Sequence, residues 1–215
     1  MSAGATTLEP VQAQAGAEGD KRRQILDGAR RVFMAAGFDG ASMGEIARAA
    51  SVSKGTLYVY FDSKEALFEA LTLEAKRCLA EALFRLDADD PDVAAVLTRL
   101  GTTYLVEMVR PDHVALIRMV IGACEKFPRF GQAFFEAGPA QGVTRLAAYL
   151  DVQVEAGRLR ARDTDLAAKH FLHLCQAGLL TRLLFCAGGP VMGEEIDYRI
   201  AEAVRVFFAG YGPET

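Results

Sequence analysis

Two short amphipathic segments separated by a three-residue turn constrain this chain more than any other feature. The run Ser42-Met43-Gly44-Glu45-Ile46-Ala47-Arg48-Ala49-Ala50 opens with a serine followed three residues later by a glutamate, the pattern of a capping box. Ser51-Val52-Ser53 comes next, then Lys54-Gly55-Thr56-Leu57-Tyr58-Val59-Tyr60-Phe61. Helices this short do not hold alone in water, because nucleation is costly and few backbone bonds offset it. They need a platform. Residues 21–36 supply one, with Ile25, Ala29, Val32, Phe33 and Ala36 at helical spacing. Gly37 is placed to stop that helix, and Phe38 to fold back on its last turn. The pattern predicts a three-helix unit containing a helix-turn-helix.

The second short helix carries the chemistry. Leu57 and Phe61, four apart, face the platform, which leaves Thr56 and Tyr60 on a different face. Lys54 and Gly55 fill the first turn of this helix, the end that meets base edges in a major groove. Gly55 admits close backbone approach. Tyrosine hydroxyls donate to phosphate oxygens and fix register without reading sequence. For Tyr58 and Tyr60 the residues alone leave two readings, DNA contact and core aromatic. Asp62-Ser63 caps a further helix that begins at Lys64, where a lysine beside unpaired N–H groups is expected to seat a phosphate. Charge agrees with this placement. Residues 20–64 hold eight Lys/Arg against five acids, whereas residues 65–215 hold sixteen against twenty-one in a chain of net charge −4. One basic lobe on an acidic protein is a localised nucleic-acid footprint.

Residues 20–70 resemble the N-terminal DNA-binding domain of the TetR family of bacterial transcriptional regulators. The likeness rests on Ile46-Ala47, on Val52-Ser53-Lys54-Gly55-Thr56-Leu57-Tyr58-Val59-Tyr60-Phe61 and on Ser63-Lys64-Glu65-Ala66-Leu67-Phe68. It implies an all-helical homodimer that binds an operator as two half-sites. By resemblance, Ser42, Tyr58, Tyr60 and Lys64 hold phosphates while Lys54, Gly55 and Thr56 face bases; Ser53 completes the set of DNA-binding candidates. The chain departs from the family at two positions. Ser51 stands where glycine is common, so a left-handed backbone there is strained. Val59 stands where some members carry an aromatic residue or histidine, which weakens any case for a phosphate contact from that position.

The expected fold is all-α, in three parts: a disordered tail over residues 1–18, a DNA-binding domain over 19–66, and a helical bundle for ligand binding and dimerisation over 67–215. The tail is rich in Ala, Gly, Thr and Gln and has neither the basic start nor the apolar run of a signal peptide. The apolar stretch 171–186 is too short and too interrupted to span a bilayer, which predicts a soluble cytoplasmic protein without a membrane partner. A long helix is expected over 63–86, with Leu67, Phe68, Leu71, Cys78, Leu79, Ala82 and Leu86 near helical spacing. Further helices are expected over 92–109, 112–126, 130–137, 140–156, 164–186 and 194–209. Gly138-Pro139 would be a kink or break, and Gly157 a stop. Within this half, Phe127-Pro128-Arg129-Phe130, Ala133-Phe134-Phe135-Glu136-Ala137-Gly138-Pro139, Ala156-Gly157-Arg158-Leu159 and Asp165-Leu166-Ala167-Ala168 look like the C-terminal domain of AefR-like regulators. That resemblance implies a regulatory domain without naming its effector.

Bundles place ligand sites between their helices. The candidate lining is Tyr104, Met108, Met119, Phe127, Phe134, Phe135, His170 and His173, with ordinary core packing as the competing reading. His170 and His173 are three apart but have no carboxylate or cysteine cluster at supporting spacing, so neither metal nor cofactor is expected. Residues 171–186 are apolar nearly all round, which calls for a partner helix as well as a core. Gly178, Leu179, Arg182, Phe185, Ile200 and Val204 are the candidate dimer contacts, with Gly178 permitting close approach. The four cysteines have neither paired spacing nor secretory context and read as reduced thiols. Nothing resembles a nucleophile elbow, a phosphate loop or paired catalytic carboxylates, so an enzyme is not expected. The leading expectation is a repressor that binds a palindromic operator in double-stranded DNA as a homodimer and is released by a small apolar effector. The alternative is an effector-independent architectural or chromosome-organising DNA-binding protein of the same fold.

Overall fold

A computed structural model describes residues 9–83 and 86–213; among these the regular structure is helical throughout and no strand occurs, in line with the all-α expectation. The chain divides into two compact units, Met1–Leu71 and Thr72–Thr215. The division falls later than residue 66 because Leu67, Phe68 and Leu71 are buried. The Phe68 ring packs edge-on against both Phe33 and Phe38 at 5.1 Å.

In the first unit α1 spans Glu9–Gly40, α2 Met43–Ala49 and α3 Lys54–Tyr60, and α4, Lys64–Leu83, begins. Of the expected tail, residues 1–8 lie outside the described residues, and residues 9–18 are helical and continue into the rest of α1. Ala, Gln and Glu are strong helix formers, and adding them to a helix already nucleated avoids the cost of starting one. Gly37 breaks α1 with φ 70°, and Phe38 folds back beneath it, its ring 6.0 Å from that of Phe33. On the buried face are Ile25, Leu26, Ala29 and Phe33. Val32 is only half-buried and Ala36 is exposed, so the expected stripe is displaced toward Leu26. Gly28 is where α1 meets α2 most closely: a Cβ placed there would stand 2.6–2.7 Å from Cβ, Cα and N of Ala50. Cys78, Leu79 and Ala82, expected on the α4 stripe, fall outside the described side chains.

The second unit contains α5, Val93–Met108, and α6, Pro111–Cys124, followed by α7, Pro128–Phe135. A π-helical turn, Glu136–Ala140, leads from α7 into α8, Gln141–Glu155, and α9, Thr164–Gln176, α10, Leu179–Leu184, and α11, Gly193–Tyr211, complete it. Pro139 lies inside the π turn, so the expected interruption is a bulge in a continuing helical path. Gly157, φ 69°, stops α8 as read. The single helix expected over 164–186 is two: Ala177 and Gly178 take φ 31° and 81°, and the Ala177 amide closes α9 on the His173 carbonyl. Leu97, Leu146, Leu150, Phe171, Cys175, Ile200 and Phe207 make the centre of the core. Gly101 lets three helices converge there, since a Cβ would lie 3.2 Å from both Cys175 Sγ and Ile200 Cδ1. Gln153, fully buried, donates to the Ala88 carbonyl at 3.1 Å and accepts from Arg158 at 2.6 Å, tying two loops together.

Candidate nucleic-acid interface

Helices of seven residues leave most of their backbone donors and acceptors without internal partners, so side chains must close the ends. Ser42 and Glu45 form the expected capping box. The Glu45 amide donates to Ser42 Oγ at 3.3 Å, and the Ser42 amide and hydroxyl donate to Glu45 Oε2 at 3.1 and 2.7 Å. The Ser42 hydroxyl bond holds the Glu45 carboxyl below its ordinary pKa, with Arg48 adding to the effect. At the other end of α2, the Ala50 carbonyl accepts from Gln24 Nε2 at 2.6 Å, and Arg31 donates to the Ala49 carbonyl. Ser51, φ 54°, then makes the left-handed turn that its position demands.

Ser53 caps α3, its Oγ accepting from the Thr56 amide at 2.9 Å and lying 2.8 Å from Thr56 Oγ1. The Thr56 hydroxyl is thus already engaged, and the residue is half-buried rather than fully presented. Leu57 and Phe61 turn inward as read. Tyr58 is 49% exposed, which removes the core-aromatic reading for it, while Tyr60 is half-buried. Lys54 and Gly55 are exposed at the start of α3. Beside them is an open notch of about 450 Å³ lined by Ser42, Gly44, Glu45, Arg48, Val52 and Lys54. Val59 is 81% exposed and was not among the expected site residues. The signal was available: with Leu57 and Phe61 inward, position 59 must point out. A bare isopropyl group on such a helix suits a thymine methyl in the major groove.

Lys64 is corrected. Its ammonium donates to the carbonyls of Phe38 at 2.8 Å, Ala41 at 3.0 Å and Asp39 at 3.4 Å, and lies 4.6 Å from the centroid of the Phe38 ring. Three donors are directed at three carbonyls, so the side chain holds the end of α1. The break at Gly37 creates that need, because it leaves carbonyls without helical partners.

The expected ligand-lining residues differ in exposure. Tyr104 is half-buried, accepts a hydrogen bond from Gln176, and has its hydroxyl pushed up to about 12 by desolvation. Met108 is buried, whereas Met119, Phe127 and Phe134 are half-buried and Phe135 is 60% exposed. His170 and His173 face outward, lining a groove of about 640 Å³ between α9 and α11 with Leu174, Ala177, Val206 and Tyr211. His170 Nδ1 lies 2.6 Å from the Tyr211 hydroxyl. Helical spacing had put these histidines on one face without saying which face was outward. Among the described residues no group of metal-binding character occurs.

The dimer candidates divide too. Leu179 and Ile200 belong to the chain's own core, each 1% exposed, and have nothing left for a partner. Arg182 donates to Glu195 at 3.3 Å. Nothing stands within 4 Å of a Cβ placed at Gly178, so that glycine serves the positive φ and no close approach within the chain. Phe185 is exposed and Val204 half-buried. Sequence reasoning missed Leu166, Tyr198 and Val206, exposed apolar residues on α9 and α11. Of the described residues, none forms a helix long and apolar enough to cross a membrane.

Comparison with known proteins agrees with this geometry. Residues 25–71 match the family described as bacterial regulatory proteins, tetR family, and residues 95–213 the AefR-like transcriptional repressor, C-terminal domain. The HTH-type transcriptional repressor Rv1474c of Mycobacterium tuberculosis is 31% identical over 169 residues, covering 76% of this chain and 82% of its own. The HTH-type nicotine-responsive transcriptional repressor HdnoR of Paenarthrobacter nicotinovorans is 27% identical over 140 residues, 65% of this chain and 67% of its own. Among solved structures, a TetR-family transcriptional regulator from Mesorhizobium loti superposes with a TM-score of 0.85 at 25% identity, covering 90% of this chain and 98% of that one. The flavonoid-responsive regulator FrrA does so with 0.75 at 30% identity, covering 92% and 100%. These relatives are regulators, not enzymes. The chain belongs to the TetR family of bacterial transcriptional regulators.

Proposed function

We propose that this regulator is a repressor that binds a palindromic operator as a homodimer and is released by a small, largely apolar effector. The observation that carries the reading is the division of α3, whose Leu57 and Phe61 are buried while Lys54, Gly55, Tyr58 and Val59 are presented outward. Lys54 reads base edges, Tyr58 and Tyr60 hold phosphates, and Ser42 adds a phosphate contact beside them. Two heads about 34–36 Å apart would meet successive major-groove faces. The second copy packs on the outer faces of α9 and α11, where Leu166, Tyr198 and Val206 are exposed and Ala177 and Gly210 are small enough for helices to approach.

The names of two relatives support the effector class, one nicotine-responsive and one flavonoid-responsive. Both point to compact ring compounds. Tyr104, Met108, Met119, Phe127 and Phe134 are the candidate lining that remains once the outward residues are set aside. An effector acts only through its preference for the state that does not bind DNA.

Titration of a duplex selected by the protein, and of its scrambled counterpart, at one salt concentration tests the assignment. Lys54→Ala should reduce discrimination between the two duplexes, whereas Tyr60→Phe should weaken both alike. If both variants bind as the wild type does, the DNA-contact assignment is wrong. Val206→Glu should halve the sedimenting mass without unfolding the chain, and an unchanged mass would displace the dimer surface from α9 and α11.

A further inference from the structure

Gly44 lies in the first turn of α2, a helix of seven residues. Glycine is among the poorest helix formers, so its presence in so short a helix needs a reason. Its backbone supplies none, because φ is not positive there. Space is the remaining explanation. A Cβ placed on Gly44 would stand 3.0 Å from Lys54 Cε and 3.3 Å from Lys54 Nζ. Both atoms belong to the far end of a flexible side chain, and neither is backbone. The Lys54 stem therefore leans from the first turn of α3 back across the first turn of α2, along the notch that Ser42, Glu45 and Arg48 also line.

We propose that Gly44 is a positioning residue for operator recognition. The side chain it lacks is the room in which Lys54 lies, so α2 as well as α3 sets where the Lys54 ammonium meets the duplex. Alanine at position 44 displaces that ammonium without obstructing the fold, and it replaces a poor helix former with the best one. Stability and recognition then move in opposite directions, which a purely structural role for Gly44 does not produce. The inference rests on the reading of Lys54 as a base contact, and the experiment separates the two.

Wild type, Gly44→Ala, Lys54→Ala and the double variant are each used to select duplexes from a randomised double-stranded pool, then titrated against the wild-type consensus and a scrambled duplex. Gly44→Ala is expected to melt at or above the wild-type temperature. It should lose base preference at the same positions as Lys54→Ala and lose roughly tenfold in discrimination, the order of effect of one good base contact. Added to Lys54→Ala, it should change nothing further. Three results overturn the proposal: Gly44→Ala selects the wild-type consensus with full discrimination, its loss persists undiminished in the Lys54→Ala background, or it lowers the melting temperature. Should Lys54→Ala itself be neutral, the base-contact reading falls and this proposal with it. A deficit in Lys54→Ala beside a neutral Gly44→Ala removes the role of Gly44 alone.

Discussion

The reading head and the carboxyl-terminal unit are both assembled from amphipathic helices, yet polar side chains serve them differently. In the head, polar groups close ends: Ser42 and Glu45 at the start of α2, Gln24 and Arg31 at its finish, Ser53 at α3, and Lys64 where α1 breaks. Helices of seven residues are almost all terminus, so their stability is concentrated in such contacts. The larger unit has helices of up to nineteen residues around an apolar centre, and polar contacts such as Gln153 with Arg158 and Tyr104 with Gln176 join elements rather than finish them. One region should therefore yield to backbone and cap changes, the other to cavities.

The largest effect is expected in the core of the second unit. Ile200→Ala empties a site that is 1% exposed beside Gly101 and should cost about 3–4 kcal/mol, the middle of the range of about 2–5 kcal/mol for truncating a buried Ile to Ala. Hydrogen exchange should quicken across α5, α9 and α11. A cost below about 1 kcal/mol would mean that the helices close over the cavity, and the contrast between the units would weaken.

Gly28→Ala is the corresponding break in the head. A methyl group there meets two backbone atoms of Ala50 at 2.7 Å and its Cβ at 2.6 Å, so α1 and α2 must separate, at about 2–3 kcal/mol. DNA binding should fail while exchange protection in α5 and α11 stays at the wild-type level. Protection lost equally in both units would show that they do not respond as separate regions.

Lys64→Met sharpens the comparison at its most ambiguous residue. The variant keeps the apolar stem and removes three donors, which should cost about 1–2 kcal/mol in a urea titration. Well below the melting temperature, affinity for a selected duplex should fall less than twofold. A much larger loss at intact stability would return Lys64 to the phosphates.

Legibility followed the same division. In the head the informative signals were local: Ser42 and Glu45 are three residues apart, Gly37 marks its own break, and Ser51 sits in a turn whose geometry its neighbours dictate. Each could be read within a few residues. Lys64 could not, because its partners lie 23–26 residues away in sequence and exist only once α1 has broken at Gly37. In the larger unit the helices were legible but their facing was not. Residues 171–186 are apolar nearly all round, so periodicity alone could not say that Leu179 points inward or His173 outward, nor that Ala177 and Gly178 split the run. A sequence without polar contrast leaves the rotation of a helix to its neighbours.

Ser51 provides the smallest and most local test. Its φ of 54° places a side-chain-bearing residue in the left-handed region, which costs about 1–2 kcal/mol relative to an unstrained conformation. Glycine relieves that strain but brings a more flexible unfolded chain, an opposing term of about 0.5–1 kcal/mol. Ser51→Gly should therefore raise the head's stability by about 0.5 kcal/mol, seen as slower exchange at the Ala50 and Val52 amides, which donate to the Ile46 and Ala47 carbonyls. Ser51→Ala retains a Cβ and with it the strain, so it should show no such gain. If alanine stabilises the turn as much as glycine does, the left-handed backbone is not the source of the cost, and the head's dependence on turn geometry is smaller than its short helices suggest.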